Sequence, residues 1–291
     1  MRFAHFILDG KECFGTVVGD SILPFSSLPE SSPYRSSTLD GLLRDRMALG
    51  RLLKEDFASS NEVTGLLVEE DEVEFLGCVP RPSKIICVGL NYRSHALETG
   101  MPVPDVPVIF SKFSDTISGH RQLIPFPPNA TQVDYEGELG IMIGKEAFCA
   151  DRGEAIASMF GFFPANDLSA RDLQLRTSQW LIGKTSDSFC PVGPYLVTSD
   201  EVGDPDSLRI QTHVNGELRQ DSTTSDMIFN CSSIVSYISQ YIRMRPGDII
   251  LTGTPSGVIL GKPSSQRKWL SKGDEISVTI ERLGTLTNRL A

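Results

Sequence analysis

Acidic and apolar residues alternate along the segment from Asp134 to Ile143, and this alternation is the strongest constraint on the fold. Side chains two residues apart on a strand point to the same face, so Glu136 and Glu138 share a face with Asp134. The apolar side chains from Leu139 onwards then point to the opposite face, towards a core. The segment therefore predicts a strand that is packed on one side and carries carboxylates on the other. An exposed strand with a solvated acidic face has the same pattern.

A third acid, Asp167, follows the apolar residues 160–165. A buried strand over 160–167 would deliver this carboxylate to the strand end, where an unpaired charge is costly unless a cation compensates it. Carboxylate oxygens without His or Cys nearby favour Mg²⁺, Mn²⁺ or Ca²⁺ over Zn²⁺. Glu136, Glu138 and Asp167 are therefore the predicted metal ligands, with Mg²⁺ or Mn²⁺ as the cofactor and Ca²⁺ as a substitute.

The rest of the pattern predicts a β-rich α+β protein. Apolar segments bounded by turn residues predict strands at 85–89, 108–111, 135–143, 160–167, 208–214, 248–252 and 275–280. Asn215 and Gly216 are the signal for a type I′ hairpin between two of these strands. Helices are fewer: Asp151 and Glu154 form a capping box that opens one, and apolar residues at helical spacing predict another over 232–243.

Residues 1–75 predict a separate small unit. Turn residues at 9–10 and 19–20 divide short apolar segments, which indicates a small antiparallel meander. Leucines at helical spacing predict a helix over 39–54. Pro80 and Pro82 mark the boundary that follows. We therefore expect a small N-terminal α/β domain at 1–75 and a catalytic domain at 76–291.

Composition and charge argue against several function classes. The formal net charge of -10 disfavours nucleic acid and anionic membranes as partners. No run reaches the roughly 18 apolar residues that span a bilayer, and the N-terminus lacks the layout of a signal peptide. The six cysteines have no C-x-x-C spacing, so neither a zinc site nor a disulfide framework is indicated. We expect a cytoplasmic protein with a small-molecule partner.

His95 and Glu98 are three residues apart and would be neighbours on a helical turn. A carboxylate can orient an adjacent imidazole for use as a general base, although a surface His–Glu pair has the same spacing. Lys184 could neutralise negative charge that develops on a substrate, and Gln174 could hydrogen-bond the same substrate. Pairing of Lys184 with Asp187 at the surface is the alternative.

Six segments occur in a fixed order along the chain: VGLNYRSHALE at 88–98, PVIFSK at 107–112, DYEGEL at 134–139, NDLSARDLQ at 166–174, QWLIGK at 179–184 and LTGTPSGV at 251–258. With these segments the chain resembles the fumarylacetoacetate hydrolase family from about residue 81 to the C-terminus. The resemblance implies a rolled, mixed β-sheet catalytic core that holds a divalent metal. It also implies a homodimer and a small oxo-acid substrate.

The resemblance assigns roles to individual residues. His95, Glu98 and Lys184 fall on catalytic positions, and a lid at 100–104 would bring His95 to the loaded site. The substrate-binding positions are Gln174 and Thr254, with Arg93 and Lys112 as cationic candidates for a substrate carboxylate.

Two departures separate this chain from the fumarylacetoacetate hydrolases themselves. Residues 89–92, GLNY, lack the additional metal-binding aspartate of those enzymes, and the loop over 167–184 is shorter. The chain instead resembles the smaller members of the family, which include acylpyruvate hydrolases, oxaloacetate decarboxylases and 2-hydroxyhepta-2,4-diene-1,7-dioate isomerases. Within the shorter loop, Arg171 and Asp172 are expected to form a structural ion pair.

The implied function is metal-dependent cleavage of a carbon–carbon bond in a small 2-oxo (1,3-dicarbonyl) acid, as in acylpyruvate and fumarylpyruvate hydrolases. The reaction would pass through a metal-chelated enolate. Oxaloacetate decarboxylation and tautomerisation of 2-oxo or 2-hydroxydienoic acids are alternatives, since they need the same enolate. A non-catalytic protein that binds a metal and an oxo acid is a further alternative.

Overall fold

The computed structural model describes residues 1–60 and 63–291, and these form the β-rich α+β fold that the sequence predicts. Within them the strands are β1 (Arg2–Leu8), β2 (Lys11–Val18), β3 (Ser21–Pro24), β4 (Glu74–Phe75), β5 (Ile85–Gly89), β6 (Val108–Lys112), β7 (Ile117–Ser118), β8 (Leu123–Ile124), β9 (Val133–Asp134), β10 (Gly137–Ile143), β11 (Met159–Asn166), β12 (Ser169–Ala170), β13 (Cys190–Pro191), β14 (Tyr195–Thr198), β15 (Arg209–Val214), β16 (Glu217–Thr223), β17 (Ile249–Leu251), β18 (Glu275–Ile280) and β19 (Gly284–Leu290). The α-helices are α1 (Leu39–Arg44), α2 (Arg46–Leu52), α3 (Arg93–Thr99), α4 (Arg152–Ser158), α5 (Arg171–Gln174), α6 (Leu181–Lys184), α7 (Ser199–Val202) and α8 (Cys231–Ser239). None of these helices has the length and apolar character needed to cross a membrane.

Two mixed sheets contain most of the strands. The main sheet has ten strands in the order β3-β2-β1-β14-β11-β10-β17-β5-β6, with β4 beside β1. The second sheet has five strands in the order β16-β15-β18-β19-β8. The pairs β17–β5 and β19–β8 are parallel, whereas the neighbours of β10 in the main sheet are antiparallel to it. A separate short pair, β9–β12, places Asp134 opposite Ser169.

β10 lies between β11 and β17 in the main sheet, and every one of its residues is buried. Leu139, Ile141 and Ile143 pack in one apolar cluster, as their alternation predicts. Gly140 faces the ring of Phe163 on β11, and a Cβ atom at position 140 would lie 2.1 Å from that ring. Glycine at position 140 therefore leaves room for the Phe163 ring, which covers it on one face of the sheet.

The register of β10 and β11 brings the predicted acids together. Gly137 pairs with Asn166, which is the last residue of β11. The backbone N–H of Asp167 then donates to the carbonyl oxygen of Glu136 at 2.9 Å. Asp167 therefore follows the end of a buried strand, as predicted, and its carboxylate emerges beside the acidic face of β10.

Some predicted elements differ in extent. The helix expected over 39–54 is divided at Asp45, whose carboxylate accepts the backbone N–H groups of Met47 and Ala48 and so caps α2. An aspartate that bonds these N–H groups favours a new helix start over continuation of the first helix. The strand expected over 135–143 begins at Gly137, and the helix expected over 232–243 is α8, which ends at Ser239.

The short turn and capping signals are confirmed. Asn215 and Gly216 have φ values of 51° and 80°, as a type I′ turn requires, and they connect β15 to β16. The carboxylate of Asp151 accepts the N–H of Glu154, whose own carboxylate accepts the N–H of Asp151 at the start of α4. Local chemistry therefore determines both features.

The N-terminal strands form the predicted antiparallel meander. β1 also pairs with β14, with Phe3 opposite Leu196, so the meander extends the main sheet. Phe6 on β1 belongs to the same apolar cluster as Ile141 on β10. The domain boundary after residue 75 stays a prediction, and the shared core makes it directly testable.

We expect Phe6→Ala to lower the free energy of unfolding by about 3–5 kcal/mol, because the fully buried ring packs in a core shared with the main sheet. The measurement is urea unfolding followed by circular dichroism and by the fluorescence of Trp180 and Trp269, both outside residues 1–75. As a control, Lys11→Ala removes an exposed side chain and should change stability by less than about 0.5 kcal/mol. A fluorescence transition that Phe6→Ala leaves unchanged would contradict the shared core and favour an independent N-terminal domain.

Candidate active site

A cavity of about 400 Å³ lies beside β10, α3 and the long connection between β17 and β18. Most of the predicted site residues line it, namely His95, Glu98, Glu136, Glu138, Gln174, Lys184 and Thr254. Asp167 lies next to this wall, in contact with Lys184. The fold therefore brings together residues that are far apart in the chain; Glu98 and its hydrogen-bond partner Gly257, for example, are 159 positions apart.

Three carboxylates form the acidic centre of the cavity. Glu136, Glu138 and Asp167 each offer one oxygen, and these oxygens all lie within 4.8 Å of one another. All three residues are buried, with Glu138 on β10, Glu136 just before it and Asp167 just after β11. Bringing three carboxylates this close in a buried site is unfavourable unless positive charge compensates them.

Buried cations surround two of these carboxylates. The Nζ atom of Lys184 donates to Glu136 Oε2 at 2.6 Å and to Asp167 Oδ2 at 2.9 Å. Lys112 donates to Asp167 Oδ1 at 2.6 Å, and Arg171 Nη2 donates to Glu136 Oε1 at 2.6 Å. Burial by itself would raise the pKa of Glu136, but the charges of Arg171 and Lys184 outweigh burial and lower it to about 2.

Glu138 is in a different electrostatic environment. Its Oε2 atom accepts the backbone N–H of Gly253 at 2.7 Å, and no cationic side chain within the described residues lies within 4.0 Å of its carboxylate. Burial, together with the charges of Asp167 and Glu136, raises the pKa of Glu138 well above its ordinary value. This carboxylate therefore has the largest unmet need for a positive charge.

The donor set fits a divalent cation. All three groups offer carboxylate oxygens, which are hard ligands that Mg²⁺ and Mn²⁺ accept. The uncompensated position of Glu138 is where added positive charge would stabilise the folded protein most. The buried triad of Glu136, Glu138 and Asp167 could therefore hold a divalent metal, as the sequence predicts.

Asp134 and Arg171 differ from the expectations. Asp134 was expected on the metal face, but its carboxylate accepts the backbone N–H groups of Ile259 and Leu260 and the Nε–H of Arg171. The predicted ion pair of Arg171 with Asp172 is wrong, because Arg171 is buried against Asp134 and Glu136. The reason is the β9–β12 pair, which aligns Ser169 with Asp134 and so brings Arg171, directly after β12, close to Asp134.

His95 and Glu98 lie on α3, so the predicted helical pairing is confirmed. The Nδ1 atom of His95 lies 3.4 Å from Glu98 Oε2. The carboxylate of Glu98 also accepts the backbone N–H of Gly257, at 3.0 and 3.1 Å from its two oxygens. Gly261 packs against this carboxylate, since a Cβ atom there would lie 2.3 Å from Glu98 Cδ. The connection after β17 therefore fixes the position of Glu98.

Gln174 and Thr254 line the cavity with their polar groups already partly engaged. Gln174 Oε1 accepts a hydrogen bond from Arg171 Nη1 at 2.9 Å. Thr254 Oγ1 donates to the carbonyl oxygen of Gly137 and accepts from Gln220 Nε2. Their predicted role in substrate binding stays a prediction.

Arg93 and Lys112, the two cations predicted to bind a substrate carboxylate, lie outside the cavity wall. Arg93 Nη1 donates to the carbonyl oxygens of Asp226 and Met227, and Lys112 is buried in its ion pair with Asp167. Neither side chain is part of the cavity wall. Both cations thus make their contacts within the protein, and the predicted role of each at a substrate carboxylate stays a prediction.

Sequence reasoning missed one cation of the cavity wall, Arg267. This residue lies in the irregular connection between β17 and β18, directly after the short 3₁₀ helix Ser264–Gln266. No periodicity or motif identified it, because only the path of the folded connection brings it to the cavity.

Comparison with known proteins gives an independent view of the chain. The family model for the fumarylacetoacetate (FAA) hydrolase C-terminal region matches residues 84–291. The mitochondrial oxaloacetate tautomerase FAHD2B of Bos taurus is 46% identical over 227 residues, which cover 77% of this chain and 71% of that protein. The oxaloacetate tautomerase YisK of Bacillus subtilis is 38% identical and is covered over 100% of both chains.

Solved structures agree with these matches. A fumarylacetoacetate hydrolase from Exiguobacterium antarcticum has a TM-score of 0.82 and 32% identity, with 100% of this chain and 99% of that chain covered. A maleylpyruvate hydrolase from Sphingobium has a TM-score of 0.78 and 28% identity, with the same coverage. Since the name of the bovine relative includes a mitochondrial location, the cytoplasmic location expected here stays a prediction.

We expect Glu138→Gln to weaken Mn²⁺ binding at least about tenfold, because the variant removes the ligand charge that lacks a cationic partner. Calorimetric titration of the purified protein with Mn²⁺ measures the affinity. Glu146→Gln is the matched control, since it removes an exposed carboxylate that pairs with Arg243 and should leave affinity unchanged. Equal affinities in the wild type and the Glu138 variant would argue against a metal at this triad.

Proposed function

Since this chain belongs to the fumarylacetoacetate hydrolase family, we propose that it is an enzyme that interconverts the keto and enol forms of a 2-oxo acid of the oxaloacetate class. The observation that carries the proposal is that a His–Glu pair, a buried lysine and two carboxylates of the triad border one cavity, with the third carboxylate, Asp167, next to its wall. Relatives named oxaloacetate tautomerases, at 46% and 38% identity, support this reaction over the carbon–carbon cleavage that the sequence suggested first.

Glu136, Glu138 and Asp167 are the groups that would hold the divalent metal. When bound, such a cation supplies Lewis-acid polarisation of a 2-oxo group. Glu138 contributes a full ligand charge, and the backbone N–H of Gly253 orients its carboxylate. Fixed ligands of this kind reduce the reorganisation needed when a substrate arrives.

Lys184 provides a fixed positive charge beside the triad. Burial by itself would lower the pKa of Lys184, but the charges of Asp167 and Glu136 outweigh burial and raise it, so the side chain stays cationic at neutral pH. A buried ammonium group stabilises negative charge on a nearby enolate oxygen more strongly than it would in water. Lys184 thus lowers the energy of the enolate and also holds Glu136 and Asp167 in place.

His95 is the proposed proton carrier. Its Nδ1 atom faces Glu98, so Nε2 is the ring nitrogen available to a substrate. In the keto-to-enol direction, Nε2 takes a proton from the carbon next to the 2-oxo group, and the C–H electron pair forms the carbon–carbon double bond. The C=O π electron pair moves to the 2-oxo oxygen, which takes a proton from the His95 imidazolium or from water to complete the enol, and the reverse reaction returns a proton to carbon. The conversion is an isomerisation that needs no co-reactant.

Hydrolysis of an acylpyruvate is the second candidate. The same His95–Glu98 pair could activate a water molecule for attack on a distal carbonyl group. A similar solved structure bears the name maleylpyruvate hydrolase, at 28% identity. In hydrolysis the imidazole would act on water, whereas in tautomerisation it would act on a C–H group of the substrate. An assay that measures both products can separate the two reactions.

The testing experiment follows the ultraviolet absorbance of enol oxaloacetate with and without Mg²⁺ or Mn²⁺, alongside pyruvate formation and the cleavage of acetylpyruvate. We expect metal-dependent acceleration of enol–keto conversion, a loss of about 10²–10⁴-fold in kcat for His95→Gln, and no activity for Glu136→Ala. His213→Gln, on β15, is the control for loss of an imidazole. Cleavage of acetylpyruvate alone would favour the hydrolase, pyruvate from oxaloacetate alone a decarboxylase, and binding without turnover a non-catalytic protein.

We expect Gly261→Ala to reduce kcat about 10²-fold while Mn²⁺ affinity stays within about twofold of wild type. The new methyl group would lie 2.4 Å from Glu98 Oε2, so the carboxylate must move away from its hydrogen bond with Gly257. Steady-state kinetics and Mn²⁺ titration measure the two quantities on the same preparation. Gly50→Ala, where nothing lies within 4 Å of the added atom, is the control. Unchanged kcat would show that the position of Glu98 is not needed for turnover.

A further inference from the structure

Arg267 is a half-buried cation on the wall of the active-site cavity. Its Nε–H donates to the carbonyl oxygen of Lys262 at 2.8 Å, which fixes the plane of the guanidinium group. Among the described residues, no protein acceptor is hydrogen-bonded to its two Nη groups, and no carboxylate lies within 4.0 Å of them. The four Nη–H donors are thus available to a molecule in the cavity.

The other permanent cations of the cavity wall are already engaged. Arg171 and Lys184 each lie 2.6 Å from a carboxylate oxygen of Glu136. Charge balance around the triad depends on these pairs. If Arg171 or Lys184 turned to a second anion, it would leave a buried carboxylate without its positive partner. Arg267, in contrast, has no carboxylate partner within the described residues.

We propose, on the basis of the proposed function, that the substrate is a 2-oxo dicarboxylic acid and that Arg267 binds its second carboxylate. The 2-oxo end of the substrate lies at the triad and Lys184, and the second carboxylate lies against the guanidinium group. A planar guanidinium binds a carboxylate through two parallel hydrogen bonds, which gives geometric selection as well as attraction. A 2-oxo monocarboxylic acid leaves Arg267 without a partner and binds more weakly.

Arg267 and the metal-binding triad lie on different parts of the chain, so selection of the second carboxylate can be separated from proton transfer at the 2-oxo end. Arg267 belongs to the connection after β17, whereas Glu138 lies on β10, Glu136 directly before it and Asp167 directly after β11. Replacement of Arg267 therefore leaves the triad and its three buried cations in place. A specificity role predicts an effect on KM that exceeds the effect on kcat.

The experiment compares wild type, Arg267→Gln, Arg267→Lys and Lys268→Gln. The readouts are kcat and KM for oxaloacetate and the inhibition constant of pyruvate, which has the same 2-oxo head without the second carboxylate. We expect Arg267→Gln to raise the KM for oxaloacetate about 10- to 100-fold and to leave pyruvate inhibition within about twofold. Arg267→Lys keeps the charge and should give an intermediate KM. Lys268→Gln removes a neighbouring exposed charge and should change neither constant.

The proposal is overturned if Arg267→Gln raises the KM for oxaloacetate and the inhibition constant of pyruvate by the same factor, because Arg267 would then have only a general electrostatic role. An unchanged KM for oxaloacetate would also overturn it. The proposed function can fail independently of this proposal. It fails if the wild-type protein does not interconvert the keto and enol forms of oxaloacetate. In that case, calorimetric binding of oxaloacetate and pyruvate with Mn²⁺ present still tests Arg267. Preferential binding of oxaloacetate that is lost in Arg267→Gln supports the assignment, and equal binding of both acids by wild type overturns it.

Discussion

The charge balance around the buried carboxylates is the interaction on which the site depends. Four carboxylates and three cations are almost completely removed from solvent there: Asp134, Glu136, Glu138 and Asp167 against Lys112, Arg171 and Lys184. With all four carboxylates ionised, as metal binding requires, four negative and three positive charges leave one negative charge. Removing one partner of a buried pair typically costs about 3–5 kcal/mol, so the network restricts which residues can vary. Addition of a divalent cation would change the sum to one positive charge, which suits an anionic substrate.

This balance also explains why the site lies where it does in the fold. Glu138 lies on a strand whose residues are all buried, Glu136 directly precedes that strand, and Asp167 directly follows the neighbouring strand. The strand ladder fixes these backbones through many hydrogen bonds, so the carboxylates cannot relieve their repulsion by moving apart. The cations must come to them, and they do so from β6, α5 and α6.

The elements that could be predicted from the sequence are those that local rules determine. The period of two along β10 gave the shared face of Glu136 and Glu138, and three-residue spacing gave the pairing of His95 with Glu98. Partners that depend on tertiary packing could not be predicted. Arg171 reaches Asp134 through a two-residue strand pair too short to recognise, and Arg267 lies in an irregular connection without periodicity. The helix break at Asp45 was missed because a capping aspartate competed with helical apolar spacing.

The connection between β17 and β18 contacts the acids of the site through its main chain. Backbone N–H groups of Gly253, Gly257, Ile259 and Leu260 donate to Glu138, Glu98 and Asp134. A main-chain donor is present whatever side chain the residue carries, proline excepted. Side chains on this connection can therefore change during evolution while Glu138, Glu98 and Asp134 keep their main-chain hydrogen bonds. Such an arrangement would let one catalytic centre acquire new substrates through few substitutions, which suits a fold found with tautomerases and hydrolases alike.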